Sequence, residues 1–354
     1  GMAPGSDTAN LSVIGYDPKE YYTGRSPLEA LSIGVDMAPT DVSFRCNLVT
    51  LSEEEERYED KRILDHSSSE ISTEDAAVLM ETLMQEMRRG GYEFYTGTSY
   101  RHLLIHKFGS VVELTAPHDI LTKRIGEYLP QDAVLREMME TSYRILSNHP
   151  LNLERKAKGL NPANSVWFWG AGTRPMLTSF EEKYHKKGAM ISAVDLLKGI
   201  AVGAGLDNII VEGANGGLHT NYTGKAEAAV DALAAQDYDF VYVHIEAPDE
   251  MGHQGSIPDK IKAIENIDQK IIGPIVGELE DLCMDFRTLV LPDHPTPICV
   301  RTHTGNPVPY LLYDSRKKAE GMPEYSERLG NKSPLFEKER HRLLSRLFEM
   351  DNER

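Results

Sequence analysis

The 354-residue sequence predicts an α/β protein in which a mostly parallel sheet carries helices on both faces and is interrupted by a smaller α/β unit. Three observations predict this class. From Ser165 onward, short apolar runs alternate with amphipathic stretches, as strands buried on both faces alternate with crossover helices. Before that point, strand-like pieces follow one another closely, as in a hairpin-rich unit. Hydrophobic residues at 40% and charged residues at 26% suit a chain that buries cores, and the length suits about two domains.

The segment Gly1–Asn10 contains a tight Pro-Gly-Ser turn that feeds a helix from Thr8. Val42–Thr50 alternates as a strand does, and the charge run from Ser52 to Asp60 ends it. Ser72 or Thr73 caps a helix whose apolar positions Leu79, Leu83 and Met87 lead to a stop at Gly90-Gly91. Residues 93–96, 100–107 and 110–114 read as strands, and Asp132–Leu146 reads as a helix ending before His149-Pro150. In the later part Val166–Trp169, Asn208–Val211, Phe240–Ile245 and Arg287–Leu291 are predicted strands. Ile191–Ala204, Lys225–Ala235 and Ile257–Leu279 are predicted helices, and Leu335–Asp351 is a charged amphipathic helix on the outside.

Lysine and arginine number 38 against 55 acidic residues, a formal net charge of −17. Such a chain lacks the basic surface that nucleic-acid binding needs, although a local cation or metal still admits a small phosphorylated substrate. No apolar run reaches the length of a membrane span. Cys46, Cys283 and Cys299 make no framework of bridges; two read as buried thiols, which fits a reducing, cytoplasmic setting. Trp167–Gly172 ends a strand in a glycine loop without the dinucleotide pattern, and no phosphate-loop motif of a nucleotide-driven kinase occurs.

The chemistry concentrates after two predicted strands, where parallel sheets place it. Asp249 and His253 are spaced to share one helical face; Asp293-His294 and then His303 follow the strand ending at Leu291. Mixed carboxylate and imidazole donors suit Mn²⁺ or Zn²⁺ better than Mg²⁺, and two such ions clamp a phosphoryl group. The plainer alternative is histidines satisfied by hydrogen bonds in polar loops; three such pieces, each past a strand of one sheet, favour the metal. Glu246 either accepts a hydrogen bond from a ligand imidazole or serves as a simple cap. Ser6, at a helix mouth, is either a helix cap or a nucleophile. Arg45, Arg101, His102 and Arg174 stand at strand or loop edges, and Lys225 sits at a helix start where the dipole disfavours a cation. Each is a ligand for an anionic substrate or a member of a surface salt bridge.

The segments Pro4–Asn10, His244–His253 and Leu291–Pro297, with His303, resemble the cofactor-independent phosphoglycerate mutases, in their archaeal-type branch. Residues 116–120, 189–196 and 223–226 add to the likeness, which runs across nearly the whole chain. The resemblance implies an alkaline-phosphatase-like core over residues 1–46 and 161–354, with a substrate-binding lid domain inserted over residues 47–160. It implies Ser6 as the nucleophile that becomes phosphoserine, one metal on Asp249, His253 and His303, and another on Asp293, His294 and Ser6. Arg45, Arg101, His102, Arg174 and Lys225 are the implied substrate ligands. The implied activity interconverts 3-phosphoglycerate and 2-phosphoglycerate, in glycolysis and gluconeogenesis, with two divalent ions (Mn²⁺ or Zn²⁺, with Mg²⁺ admitted) and no 2,3-bisphosphoglycerate. A metal-dependent phosphatase, a phosphomutase acting on another metabolite, and a non-catalytic scaffold homologue are the alternatives. Members of this family also take an aspartate ligand from a first strand. The expectation is that this strand lies upstream of Gly1, since a parallel sheet without a central strand keeps a gap; otherwise the second metal site is incomplete.

Overall fold

The structure, a computed structural model, describes residues 5–317 and 319–349. The start of the Pro-Gly-Ser turn, through Pro4, and the predicted helix end at Asp351 lie outside the described residues. The chain divides into a core unit, Gly1–Tyr22 with Met176–Arg354, and an inserted unit, Thr23–Pro175.

The core unit opens with α1 (Ser6–Val13) and α2 (Pro18–Tyr21). The inserted unit contains α3 (Arg25–Ser32), β1 (Val42–Leu51), β2 (Ile63–Asp65), α4 (Thr73–Glu86), β3 (Tyr92–Thr98), β4 (Arg101–His106), α5 (Ala133–Leu146), α6 (Pro150–Ala157) and β5 (Ser165–Thr173). The core unit resumes with α7 (Phe180–Tyr184), β6 (Gly188–Ile191), α8 (Asp195–Ala204), β7 (Asp207–Asn208), α9 (Tyr222–Ala235), β8 (Phe240–Val243) and α10 (Ala247–Gln254). It ends with α11 (Ile257–Ile267), α12 (Gly273–Asp281), β9 (Arg287–Val290), β10 (Leu311–Asp314), α13 (Glu327–Gly330) and α14 (Leu343–Glu349).

In the inserted unit β1 is central, antiparallel to β4 on one edge and to β5 on the other. All ten β1 residues are buried, because helices and loops cover both of its faces. One face packs Leu48, Leu79, Leu83, Met139 and Phe168 into the main core. Ser72 caps α4 by accepting from the Asp75 amide at 3.1 Å, and Asp132 caps α5. The unit begins and ends farther out than residues 47 and 160, because β1 is paired with β5 from Val42↔Thr173 onward. Cutting at either position divides that ladder. Residues 110–114 are irregular rather than a strand.

In the core unit β7, β6 and β8 form a parallel sheet in the order β7-β6-β8, while β9 pairs antiparallel with β10. Ile191, expected at a helix start, ends the buried strand β6, and α8 begins only at Asp195. The strand expected at Asn208–Val211 is the short β7. The long helix expected at Ile257–Leu279 is α11 and α12 joined by a π-helical stretch, Asp268–Ile272. The C-terminal helix is shorter than expected, with Arg340–Arg342 forming a 3₁₀ turn before α14. Cys46 is buried, whereas Cys283 and Cys299 are exposed, so only one of the expected buried thiols exists. The other two lie past α12 and in the β9–β10 connection, where no sheet covers them. No helix among the described residues is long and apolar enough to cross a membrane.

Candidate active site

Two groups of donors form at the ends of β8 and β9 in the core unit. The first begins on α10, where the i, i+4 spacing puts His253 Nε2 3.3 Å from Asp249 Oδ2. The β9–β10 connection returns His303, whose Nε2 lies 3.2 Å from Asp249 Oδ1 and 3.2 Å from His253 Nε2. His253 Nδ1 lies 3.0 Å from the Arg301 carbonyl, a pure acceptor, so Nδ1 carries the proton and the Nε2 lone pair faces the centre. The three side chains each offer a donor atom within 4.8 Å of the others. Two facing imidazole nitrogens and a carboxylate are a donor set that a divalent cation satisfies.

The second group is built around Ser6 at the first turn of α1. Ser6 Oγ is 3.1 Å from His294 Nε2, and His294 Nε2 is 3.5 Å from Asp293 Oδ2. Asn10, one turn beyond Ser6, donates to Asp293 Oδ2 at 2.8 Å and to the Ser6 carbonyl at 2.8 Å. Tyr242 from β8 donates to Asn10 Oδ1 at 2.5 Å, and His244 Nε2 stands 3.9 Å from Asp293 Oδ2. The Arg340 guanidinium donates to the Asp293 carbonyl. Burial opposes ionisation of Asp293, but His244, His294 and Asn10 overcome it and hold the carboxyl well below the usual carboxylate range.

Thr296 joins the two groups. Its hydroxyl donates to Asp249 Oδ1 and lies 3.3 Å from His294 Nδ1. With its one proton given to Asp249, that hydroxyl accepts from His294 Nδ1–H. The His294 Nε2 lone pair then faces Ser6. Burial also lowers the Asp249 carboxyl's tendency to ionise, and the His303 and Thr296 hydrogen bonds outweigh it, so its pKa lies below the ordinary value. Burial, the largest influence, pushes the His294 imidazole below its ordinary value. Sequence reasoning assigned no role to Asn10, Tyr242, His244 or Thr296. Asn10 was within reach of it, since the i, i+4 spacing from Ser6 is visible in the chain.

Lys225 is buried in the first turn of α9 and donates from Nζ to the His244 carbonyl at 3.0 Å. Burial lowers its pKa to about 8, with Glu246 acting in the opposite sense. Glu246 precedes α10 without a side-chain capping bond, and burial raises its carboxyl.

The remaining predicted ligands lie in the inserted unit. Cross-strand register pairs Arg45 with Leu103 and Asn47 with Arg101, so both arginines share one face of the sheet. His102 pairs with Cys46 on the opposite face; it is buried, accepts from the Gly97 amide at 2.9 Å, and burial lowers its pKa to about 4. His102 is therefore a neutral ring apart from the two arginines. Arg45 lies 4.2 Å over the Trp169 ring and bonds Glu29 at 2.9 Å; Arg101 lies 4.7 Å over Tyr100. His118 meets Trp169 at 5.2 Å, and His66 meets both His118 and Tyr100, linking the two arginines through a chain of aromatic and imidazole rings that sequence reasoning did not assemble. Arg174 donates to the Met37 carbonyl at 3.0 Å, beside Asp36.

An α/β core with a carboxylate–histidine centre at its strand ends, and a serine hydroxyl held against a histidine, defines a metal-dependent enzyme class that works through a nucleophilic serine. The family described as 2,3-bisphosphoglycerate-independent phosphoglycerate mutase matches residues 1–152. The mutase of that name from Methanosarcina barkeri is 50% identical over 340 residues, covering 94% of this chain and 83% of that protein. Mutase 2 of Methanothermobacter thermautotrophicus is 44% identical over 350 residues, covering 97% of this chain and 84% of that one. Among solved structures, a Pyrococcus horikoshii protein matches with a TM-score of 0.79 at 30% identity, over 99% of this chain and 84% of that one. The cofactor-independent phosphoglycerate mutase of Thermoplasma acidophilum matches with a TM-score of 0.62 at 27% identity, over 98% and 86%. The chain belongs to the 2,3-bisphosphoglycerate-independent phosphoglycerate mutase family, of the alkaline-phosphatase superfamily.

Proposed function

We propose that this chain interconverts 3-phosphoglycerate and 2-phosphoglycerate through a phosphoserine at Ser6. The observation that carries the reading is the placement of Ser6 Oγ 3.1 Å from His294, in the same unit as the converging Asp249, His253 and His303. Asp249, His253 and His303 hold one divalent ion; Asp293, His294 and Ser6 hold a second, Mn²⁺ or Zn²⁺ in preference to Mg²⁺ because imidazole nitrogens contribute. Such ions, when bound, supply Lewis acidity that lowers the pKa of the serine hydroxyl and offsets charge on the phosphoryl oxygens.

In the first transfer Ser6 Oγ bonds to phosphorus and the substrate's ester P–O bond breaks, the serine proton passing to the departing glycerate oxygen. In the second, the other glycerate hydroxyl attacks the phosphoserine, and its proton returns to Ser6 Oγ. No 2,3-bisphosphoglycerate is consumed. Arg45 and Arg101 grip carboxylate and phosphate oxygens in two-point contacts, and the Lys225 ammonium adds charge near the β8 end. Arg174 has a smaller share in this reading, since its guanidinium already serves the Met37 carbonyl. A cytoplasmic setting belongs to the same proposal, because free exposed Cys283 and Cys299 suit a reducing compartment.

A brief pulse of phosphoglycerate labelled in its phosphate, given to metal-loaded protein and quenched, is expected to leave label on Ser6 and to yield the isomeric phosphoglycerate. Ser6→Ala is expected to lose ~10³-fold or more of the turnover. Full turnover by that variant overturns the reading, and release of free phosphate in place of the isomer identifies a phosphatase.

A further inference from the structure

Arg45 stands in the middle of β1, and its side chain is only 7% exposed. A guanidinium so enclosed normally uses its donors inside the protein. Here Nε alone is used, on Glu29 Oε2 at 2.9 Å; among the described residues the two Nη groups make no hydrogen bond. An ion pair serving the fold alone favours the two-point contact that the planar fork offers a carboxylate. Glu29, on α3, instead gives Arg45 one oxygen and turns the other to Arg25 at 3.1 Å. The outer edge of the Arg45 fork is left for another anion.

The surroundings fix where that edge points. Trp169, the cross-strand partner of Arg45, has its ring 4.2 Å from the guanidinium carbon, a contact that favours the cation without using its N–H groups. The indole is itself held, since Nε1 donates at 3.0 Å to Asn47 Oδ1, two residues along β1 from Arg45. The β1–β5 ladder is also irregular at this point. From Arg45 to Ser43 β1 advances two residues, while its partner β5 advances three, from Trp169 to Gly172. Bulges of this kind bend a strand and re-aim side chains. Gly170, in the bulge, takes a φ of +62°, and a Cβ there would stand 3.4 Å from Arg45 Cγ and Cδ.

The charges around Arg45 point the same way. Burial opposes its positive charge and Glu29 offsets that, whereas Arg25 and Arg101 add to the opposition. Arg101, on the same face of the sheet, donates to the Tyr100 hydroxyl at 2.9 Å and forms no ion pair among the described residues. Two guanidinium groups on one face with Glu29 shared between Arg25 and Arg45 favour an anion there.

We propose that Glu29 and Trp169 are positioning residues that aim the Arg45 fork at an oxyanion group of the phosphoglycerate, with Asn47 holding the indole in place. The inference rests on the reading of Arg45 as a substrate ligand, and it assigns the aiming to side chains that need not touch substrate. Glu29 fixes the inner edge of the guanidinium, Trp169 its face, and the bulge at Gly170 leaves room for the methylenes.

The test measures the affinity of the metal-loaded chain for 3-phosphoglycerate by calorimetry, and turnover by formation of the isomer. Glu29→Ala and Trp169→Leu are each expected to weaken affinity about fivefold or more and to raise KM in step, with kcat within about threefold, as loss of uniform binding does. Trp169→Phe keeps an aromatic face against the cation and is expected to recover most of the loss. In an Arg45→Met background neither Glu29→Ala nor Trp169→Leu is expected to change affinity or kcat/KM by more than about twofold, because nothing is left to position. Equal losses in both backgrounds, or no loss in the native one, overturn the proposal. Where Trp169→Leu does not fold, Glu29→Ala decides the question from the surface of α3. A native chain that forms no isomer breaks the mutase reading, and the affinity cycle then decides the positioning role by itself. Isomer formed together with equal losses in both backgrounds breaks the positioning role alone.

Discussion

The two donor groups of the core unit are stabilised in different ways. Asp249, His253 and His303 meet through their own ligand atoms, with two imidazole nitrogens 3.2 Å apart. Ser6, Asp293 and His294 are instead embedded in a protein network that reaches through Asn10 to Tyr242. The first group offers converging donor atoms that a cation satisfies, with Thr296 and the Arg301 carbonyl orienting them, whereas the second is held ready by a more extended set of hydrogen bonds. Metal-dependent sites combine both devices, because ligands need charge and their orientation needs outer-shell bonds.

The largest way to break this contrast is at the first group. Asp249→Asn removes the only negative donor there, and divalent-ion affinity measured by calorimetry is expected to fall ~100-fold or more, with turnover falling alongside. Thr296→Val tests the joint between the groups. Loss of its bonds to Asp249 and His294 frees the His294 tautomer, and a fall of ~10-fold to 100-fold in metal affinity or turnover is expected from such outer-shell changes.

Asn10→Ala acts on the second group directly. It leaves the Asp293 carboxylate and Tyr242 hydroxyl short of a partner, at an expected cost of about 1–3 kcal/mol in denaturant unfolding of the metal-free chain. The groups share Thr296, and His294 Nδ1 lies 3.9 Å from Asp249 Oδ1. The same substitution is therefore expected to shift the ion affinity of the first group as well, by about threefold or more in calorimetry; an unchanged affinity shows that the groups act independently.

The smallest effect is one of pH. Lys225, displaced downward to about 8, loses its charge above that pH in the folded chain while the unfolded chain stays protonated up to about 10.5. The unfolded state then binds more protons, so this group's contribution to stability rises with pH between those values. Substrate affinity moves the other way if the ammonium holds phosphate. KM is expected to climb several-fold above about pH 8 in the native chain and to lose that component in Lys225→Met.

Much of this was legible in the chain. Asp249 and His253 are four apart on a short helix, and backbone geometry alone puts them together. Adjacent Asp293 and His294 follow an apolar strand, so their place at a sheet end was readable too. The inserted unit was readable in kind but not in extent, because the β1–β5 ladder joins residues far apart in sequence. The separation of His102 from Arg45 and Arg101 was not readable, since cross-strand register decides which face each residue takes.

Sequence by itself determined most of the elements and the helical pair Asp249–His253, because periodicity and spacing act over one or two turns, and it carried the acidic charge and the motifs by which the chain resembles its family. Tertiary structure alone decided that Ser6 meets His294 across 288 positions and that His303 closes the first donor group. It also set the ring protons, through the Arg301 carbonyl and the Thr296 hydroxyl. Those choices depend on how distant segments close upon one another, and local backbone preference carries no information about that.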